Sequence, residues 1–315
     1  MARPNRGQVK VDTLLSNLSI GYMQKQDVFI FPKVFAPVKV DEQSNKYIVY
    51  SSKDWNTDEA EVRKDSTESA GSGYDLSNDN YNCVPYSFHK DVGDQIIANA
   101  GGRFDLIKEA VEFVTRKILI KQEKIFAEKY LVSGVWGETL VGGTDFDQIS
   151  EPTSSPIELF KGEIVSMAET TGIEPNTLVL GYKVFNDLSL HPDVIDRIKY
   201  TSADAPTEKI LANLLGVQRV LVAKSVIATG KGATKTNAFA AGRNALLCYA
   251  SPTPGVLAPS AGYTFSWNYA GIGPIGVKKF YIEEKETTRV EASSAFDCKI
   301  TANELGKLLT LVTAA

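Results

Sequence analysis

Residues Phe104–Val132, FDLIKEAVEFVTRKILIKQEKIFAEKYLV, run for 29 positions without proline or glycine and are filled with good helix formers. Ile107, Val111, Val114, Ile118, Ile125 and Phe126 fall close to the three-and-four spacing of a one-faced helix. Ala110, Phe113, Leu119 and Leu131 widen that stripe, while Lys108, Glu112, Arg116, Lys117 and residues 121–124 read as its wet side. Asp105 offers an oxygen to cap free N–H groups, and Gly134 follows the end. At 1.5 Å per residue the helix is roughly 40 Å long. It reads as a beam on which smaller modules hang.

Before the beam, residues 1–43 read as an extended arm, because Pro32 and Pro37 break FIFPKVFAPVKV into extended pieces. Such an arm must lie on its own body or on a neighbouring subunit. YIVYSS (Tyr47 to Ser52) and NCVPYSFHK (Asn82 to Lys90) are strand-like and flank a long polar connection. Between Asp54 and Asn80 that connection carries eight acidic residues against Arg63 and Lys64. The pattern predicts a projecting hairpin loop over 44–90 that contacts other subunits.

After the beam, Pro156 opens a helix that Gly172 ends, and NTLVLG is a buried strand. Further helices end before Pro192 and Gly216, and VQRVLVAKSV and NALLCYAS supply strands, making residues 152–265 a compact α/β module. In the tail, Phe296, Cys298, Ile300 and Ala302 alternate with polar residues, as a half-buried strand does. The beam offers these strands a surface to cover. Residues 91–151 and 266–315 are therefore joined as one discontinuous domain.

A chain of 315 residues has room for two or three domains, and a net charge of −4 gives no field for gripping nucleic acid. Cys83, Cys248 and Cys298 stand apart, as reduced thiols in a cytoplasmic product. No apolar run is long enough to span a membrane, and the first residues lack a secretory core. Catalytic signals are sparse. His191 precedes Pro192 at a helix end, His89 lies in a strand, and neither has a metal partner at i+3 or i+4. The run Gly230 to Thr236 misses the Walker spacing, and Gly71-Ser72-Gly73 and Gly271-Ile272-Gly273 lack the third glycine of a dinucleotide loop. No catalytic, cofactor or metal residue is assigned, and the chain is read as no enzyme.

In this order the layout resembles the major capsid proteins of tailed bacteriophages, the Hong Kong phage coat fold. The resemblance covers nearly the whole chain and is carried by several strings: VFIFPKVFAPVKV before YIVYSS, IEPNTLVLGYKVFNDLSLHPDVIDRIKY, KILANLLGVQRVLVAKS, ALLCYASPTPG and FDCKITANELGKLLT. Pro175, Asn176, Thr177, Leu178, Val179, His191 and Pro192 match one motif, and Leu214, Leu215, Gly216 and Val217 the next. In that family these are packing and turn residues.

The resemblance implies an α+β fold: N-terminal arm (1–43), extended loop (44–90), peripheral domain with a spine helix (91–151 and 266–315) and axial domain (152–265). It implies an icosahedral shell of pentamers and hexamers that encloses double-stranded DNA without reading its sequence, assembled in the host cytoplasm and located in the virion capsid. Expected partners are a separate scaffolding protein, a portal and a decoration protein, with no cofactor and no membrane. Lys53, Trp55, Asp58, Arg63 and Lys64 are the expected inter-subunit contacts. Some members cross-link a loop lysine to an asparagine of a neighbour; Lys53, Lys64 and Asn303 are present, but no motif supports the pairing. An encapsulin compartment and a soluble α/β enzyme are the alternatives.

Overall fold

The computed structural model describes residues 28–50, 58–73, 76–100, 105–199, 206–229, 236–255, 258–268 and 274–314. It begins with one helical turn, α1 (Phe31–Val34), followed by strands β1 (Pro37–Val40), β2 (Ser44–Tyr50), β3 (Leu76–Asn82) and β4 (Val84–Gly93). Short α2 (Asp94–Ala100) precedes the long helix α3 (Leu106–Tyr130). Next come β5 (Glu138–Val141), α4 (Pro156–Thr171), β6 (Thr177–Gly181), α5 (Tyr182–Leu190), α6 (Pro192–Ile198), α7 (Glu208–Leu215) and β7 (Arg219–Ala223). The chain closes with β8 (Val226–Thr229), β9 (Thr236–Phe239), β10 (Ala245–Cys248), β11 (Gly262–Trp267), β12 (Gly276–Ile282), β13 (Thr287–Ile300) and β14 (Gly306–Thr310).

Helix α3 starts where the sequence predicts: the Asp105 carboxylate accepts the Lys108 N–H at 3.0 Å. Its stripe of Ala110, Val111, Val114, Ile118, Leu119, Ile125 and Phe126 is buried, lying against β4 and β13. Gln122 and Glu123, read from sequence as wet, are buried as well. Gln122 Nε2 donates to Ser294 Oγ at 3.1 Å, and Glu123 takes backbone partners described below. Polar side chains inside a helix stripe are tolerated when they are hydrogen-bonded; Glu123 is so through both oxygens, whereas Gln122 is held through Nε2 alone and its Oε1 has no partner.

Strand β13 is the spine of the first sheet. It pairs antiparallel with β4, β12 and β11, and β1 adds parallel to β11. Phe296, Asp297 and Cys298 are all buried, so this stretch is covered on both faces and not half-buried as its alternation predicts. Asp297 stays inside because its carboxylate accepts from Lys129 Nζ at 2.7 Å and from the Asn82 N–H at 3.0 Å.

The second sheet has the order β5-β14-β10-β6-β7, with β14 and β10 antiparallel and the β5–β14 and β6–β7 pairs parallel. Its two strands β5 and β14 come from outside residues 152–265. The α/β module thus does not close on its own residues, as the sequence reading has it. Helices α4 to α7 supply the apolar cover, with Phe160, Met167, Leu188, Val194 and Leu211 buried against Leu178, Leu180 and Leu247.

Two sequence readings change in the N-terminal third. Pro32 does not break the chain into extended pieces but sits at the start of α1, where its missing N–H costs nothing. And β2 finds its antiparallel partner in the polar run LSNDNYN of β3, read as loop, while the strand-like Val84–Gly93 leaves the hairpin for β13.

Lys307, on β14, tests the second sheet. Its ammonium is nearly enclosed, 2.6 Å from Glu138 Oε2 and 2.7 Å from Glu163 Oε2, and it donates to Ser166 Oγ at 2.8 Å. Burial alone would lower its pKa, but the hydrogen bonds and charges of Glu138 and Glu163 carry it above the ordinary value. Lys307→Ala should cost about 2 kcal/mol, below the cost of breaking a fully buried pair because both carboxylates retain some water. Urea unfolding at neutral pH measures it. The wild-type contribution should fade only as pH climbs above about 10, through the lysine range.

Candidate assembly surfaces

Four buried clusters fix what can move and what can be touched. One joins α3 to the first sheet, one fills the α/β module, and a small one of Tyr81, Cys83, Tyr263 and Phe265 seats the base of the β2–β3 hairpin. The remaining cluster bridges both sheets and includes α1 with Phe126, Tyr130, Leu246, Phe296 and Leu308.

Helix α1 is held at both ends. At its start, Glu123 Oε2 accepts the N–H groups of Ile30 at 3.2 Å and Phe31 at 3.0 Å, and Ser225 Oγ donates to Oε1 at 2.9 Å. At its end, Arg219 Nη1 donates to the Lys33 carbonyl at 2.9 Å and Nη2 to the Val34 carbonyl at 2.8 Å, while Nε reaches Thr177 Oγ1 at 2.8 Å. A one-turn helix cannot satisfy its own terminal groups, so a carboxylate and a guanidinium do it. Phe31 packs edge-on to Phe296 with centroids 5.3 Å apart, and Phe35 lies 4.9 Å from the Tyr130 ring. Residues 29–35 are therefore a structural plug of this chain's own body, and burial pushes the Glu123 carboxyl up from its ordinary 4.5 to about 7.

The β2–β3 hairpin is the opposite case. Most of its described side chains are exposed, the exceptions being half-buried Tyr47 and Val49 and buried Tyr81, which stacks on Phe265 at 4.6 Å. Tyr47 donates to Asp79 Oδ2 at 2.7 Å across the ribbon. Two strands with no cover are marginal in water. Residues 58–73 are exposed throughout, and the hydrogen bonds within them run from Arg63 Nε to the Thr67 carbonyl and from Thr67 to the Lys64 carbonyl.

Of the expected contact residues, Asp58, Arg63 and Lys64 lie on this exposed stretch, whereas Lys53 and Trp55 fall outside the described residues. Glu123 and Arg219 escape sequence reading, since one hides in a lysine-rich run and the other opens an ordinary apolar strand. Pro156-type helix starts, Asp105 and the alternating apolar residues were readable; charged side chains that clamp backbone groups 92 to 186 residues away leave no local pattern.

The groups weighed as catalytic are occupied otherwise. His191 Nδ1 accepts the Asp193 N–H at 3.2 Å, capping α6, and its Nε2 lies 3.2 Å from Ser154 Oγ and 3.1 Å from the Glu151 carbonyl. His89 is exposed on β4. Burial pushes the Cys83 thiol up to about 11 and those of Cys248 and Cys298 up to about 12, away from reactive thiolate. Among the described residues no three histidines, cysteines or carboxylates converge as metal ligands. Gly230 to Lys235 and Gly271 to Gly273 lie outside the described residues. Asn176 works as a turn residue: its side chain exchanges two hydrogen bonds with the backbone of Ala250, at 2.8 and 2.9 Å. Gly216 ends α7 at a φ of 81°.

No family model matches the chain. Its sequence is 24% identical, over 233 residues, to the major capsid protein of Burkholderia phage BcepMu, covering 70% of this chain and 71% of that one. In sequence the chain is similar to a phage major capsid protein. In three dimensions it matches a phage-related protein from Bordetella bronchiseptica RB50 with a TM-score of 0.74 and 24% identity, over 96% of this chain and 98% of the other. The capsid of cyanophage P-SCSP1u matches with a TM-score of 0.57 at 10% identity, over 89% and 87% of the two chains. The α+β fold is the Hong Kong phage coat fold, and the sequence relative is a phage coat protein where the alternatives were an encapsulin or an enzyme. The sequence relative is a structural protein of the virion capsid.

Proposed function

We propose that this coat protein builds an icosahedral shell of pentamers and hexamers around double-stranded DNA. The observation that carries the reading is the β2–β3 hairpin, a ribbon whose described side chains beyond its base are mostly exposed and would gain cover from other copies. In this reading residues 1–43 are the arm, of which 29–40 belong to the body, and 44–90 the extended loop, of which Ser44–Asn82 projects. Residues 91–151 and 266–315 are the peripheral domain around the spine helix, and 152–265 the axial domain, to which β5 and β14 lend strands. Asp58, Arg63 and Lys64, with Lys53 and Trp55, are the inter-subunit contacts. Base-specific contacts are not needed, and a net charge of −4 keeps the grip on DNA weak. A scaffolding protein, a portal and a decoration protein are the proposed partners, and assembly takes place in the host cytoplasm.

Sedimentation and negative-stain imaging of the purified chain, alone and with the scaffold expressed beside it, test the reading. Megadalton particles or rings of five and six are expected. A chain that stays monomeric under both conditions would sink it.

A further inference from the structure

Helix α1 is a single turn tied to both halves of the body. Within itself it bonds from the Lys33 and Val34 N–H groups to the Ile30 carbonyl, at 2.8 and 3.2 Å. Its polar ties outward include the Glu123 carboxylate at its start and the Arg219 guanidinium at its end. Glu123 comes from α3, which lies on the first sheet, and Arg219 from β7 of the second. Between these ties Ile30, Phe31, Val34 and Phe35 are all buried in the cluster that bridges both sheets. The segment that follows is anchored separately, because β1 pairs with β11 from Pro37 to Val40. Residues 29–35 can therefore open as a unit of their own while the sheets stay folded.

One of the two ties carries a proton at neutral pH. Burial pushes the Glu123 carboxyl up to about 7, while the N–H groups of Ile30 and Phe31, the Ser225 hydroxyl and the charge of Lys33 on α1 pull it down. Charges on the other elements packed here are engaged elsewhere. Arg219 holds the Lys33 and Val34 carbonyls and Thr177, and Lys224 pairs with Glu208 at 3.0 Å. Lys129 pairs with Asp297 at 2.7 Å, and Lys124 with Glu128 at 3.5 Å. Ionisation thus places a carboxylate inside an apolar joint, and lifting α1 would return that carboxylate to water.

We propose that Glu123 is a proton-operated latch: protonated, it keeps residues 29–35 seated, and ionised, it lets them open from the joint with both sheets still folded. Ionisation raises the open fraction and does not empty the seat, because four apolar side chains hold it at every pH. Opening removes the ring contacts of Phe31 with Phe126 and Phe296 and of Phe35 with Tyr130, which loosens one sheet from the other at this point. The latch closes toward low pH and loosens as pH rises through about 7. With the carboxyl back at its ordinary 4.5 in the open state, the open fraction should rise about tenfold between pH 6 and pH 8. The device belongs to a single chain and does not rest on the shell reading.

Val34→Cys places a thiol at a position of α1 that is 0% exposed, and the buried Cys248 and Cys298 serve as controls within the body. On the unassembled chain, the iodoacetamide labelling rate of the introduced thiol, corrected for its thiolate fraction, should rise about tenfold from pH 6 to pH 8. Cys248 and Cys298 should stay unlabelled over the same time, and adding Glu123→Gln should make the corrected rate flat. Hydrogen exchange of the wild-type chain reads the same opening without any substitution. Amides of residues 29–35, corrected for the intrinsic pH dependence of exchange, should lose about tenfold in protection, and those of β6 and β13 none. A flat rate in the chain that keeps Glu123, or an equal rise in the glutamine variant, overturns the latch. Labelling of Cys248 in step with the introduced thiol means that the whole chain opens, and overturns it as well.

Discussion

Glu123→Ala should lower the unfolding free energy by about 3–4 kcal/mol at neutral pH, a loss read by urea titration of the unassembled chain. Alanine leaves the N–H groups of Ile30 and Phe31 without the acceptor they now share, and Ser225 without its carboxylate. Each orphaned buried donor costs about 1–3 kcal/mol. Part of that cost is offset, because the variant no longer has a buried carboxylate to keep ionised at neutral pH. Glu123→Gln separates the two effects, since its carbonyl accepts both N–H groups and its amide donates to Ser225 Oγ.

The same residue sets a pH dependence whose sign is opposite to that of most paired carboxylates. Burial, the largest influence, raises the Glu123 carboxyl to about 7, against the backbone N–H groups, Ser225 and the Lys33 charge, which all pull it down. The folded protein therefore holds a proton that the unfolded chain has released. Stability contributed by this group is full below about pH 4.5 and is lost as pH rises through about 7. The whole excursion is on the order of 3 kcal/mol. Between pH 8 and pH 6 the wild type should gain stability relative to Glu123→Gln. Equal pH slopes for the two proteins would show that the carboxyl is not protonated in the fold.

The contrast with what the sequence alone conveys is physical. Helix α3 was legible because its apolar residues repeat over seven turns and a cap marks its start. NTLVLG was legible because a short run of Leu178, Val179 and Leu180 bounded by turn residues has few other fates than a five-residue buried strand. Strand β3 was not, since Leu76–Asn82 exposes nearly every side chain and keeps no alternation for a core to impose. Strand β14 was missed because five residues at the end of a domain carry too little pattern to say which sheet they complete. Among the expected contact residues, position in the acidic loop was legible.

Gly306→Ala should be a strongly damaging single-methyl change in the second sheet, costing about 3 kcal/mol or more. A Cβ at Gly306 would overlap Trp136 Cε3 and Cζ3, far inside contact distance. Backbone conformation is not the obstacle, since Gly306 is extended at a φ of −142°. The ring is what cannot yield: Trp136 Nε1 donates to the Tyr130 carbonyl at 2.6 Å, and the indole stacks on Tyr130 with centroids 6.0 Å apart. Tyr130 in turn donates to the Tyr263 and Lys299 carbonyls of the first sheet at 3.3 and 3.2 Å, so displacing the indole strains the joint between sheets. Overpacking a close-packed core costs about 1–3 kcal/mol, and more where the obstructing group is pinned. A double-mutant cycle identifies the cause. Trp136→Leu alone should destabilise by opening a cavity, yet combined with Gly306→Ala it should recover at least 1 kcal/mol of the summed loss, because leucine leaves room for the methyl group. Additive losses would mean that the alanine acts through the backbone of β14 and not through the indole.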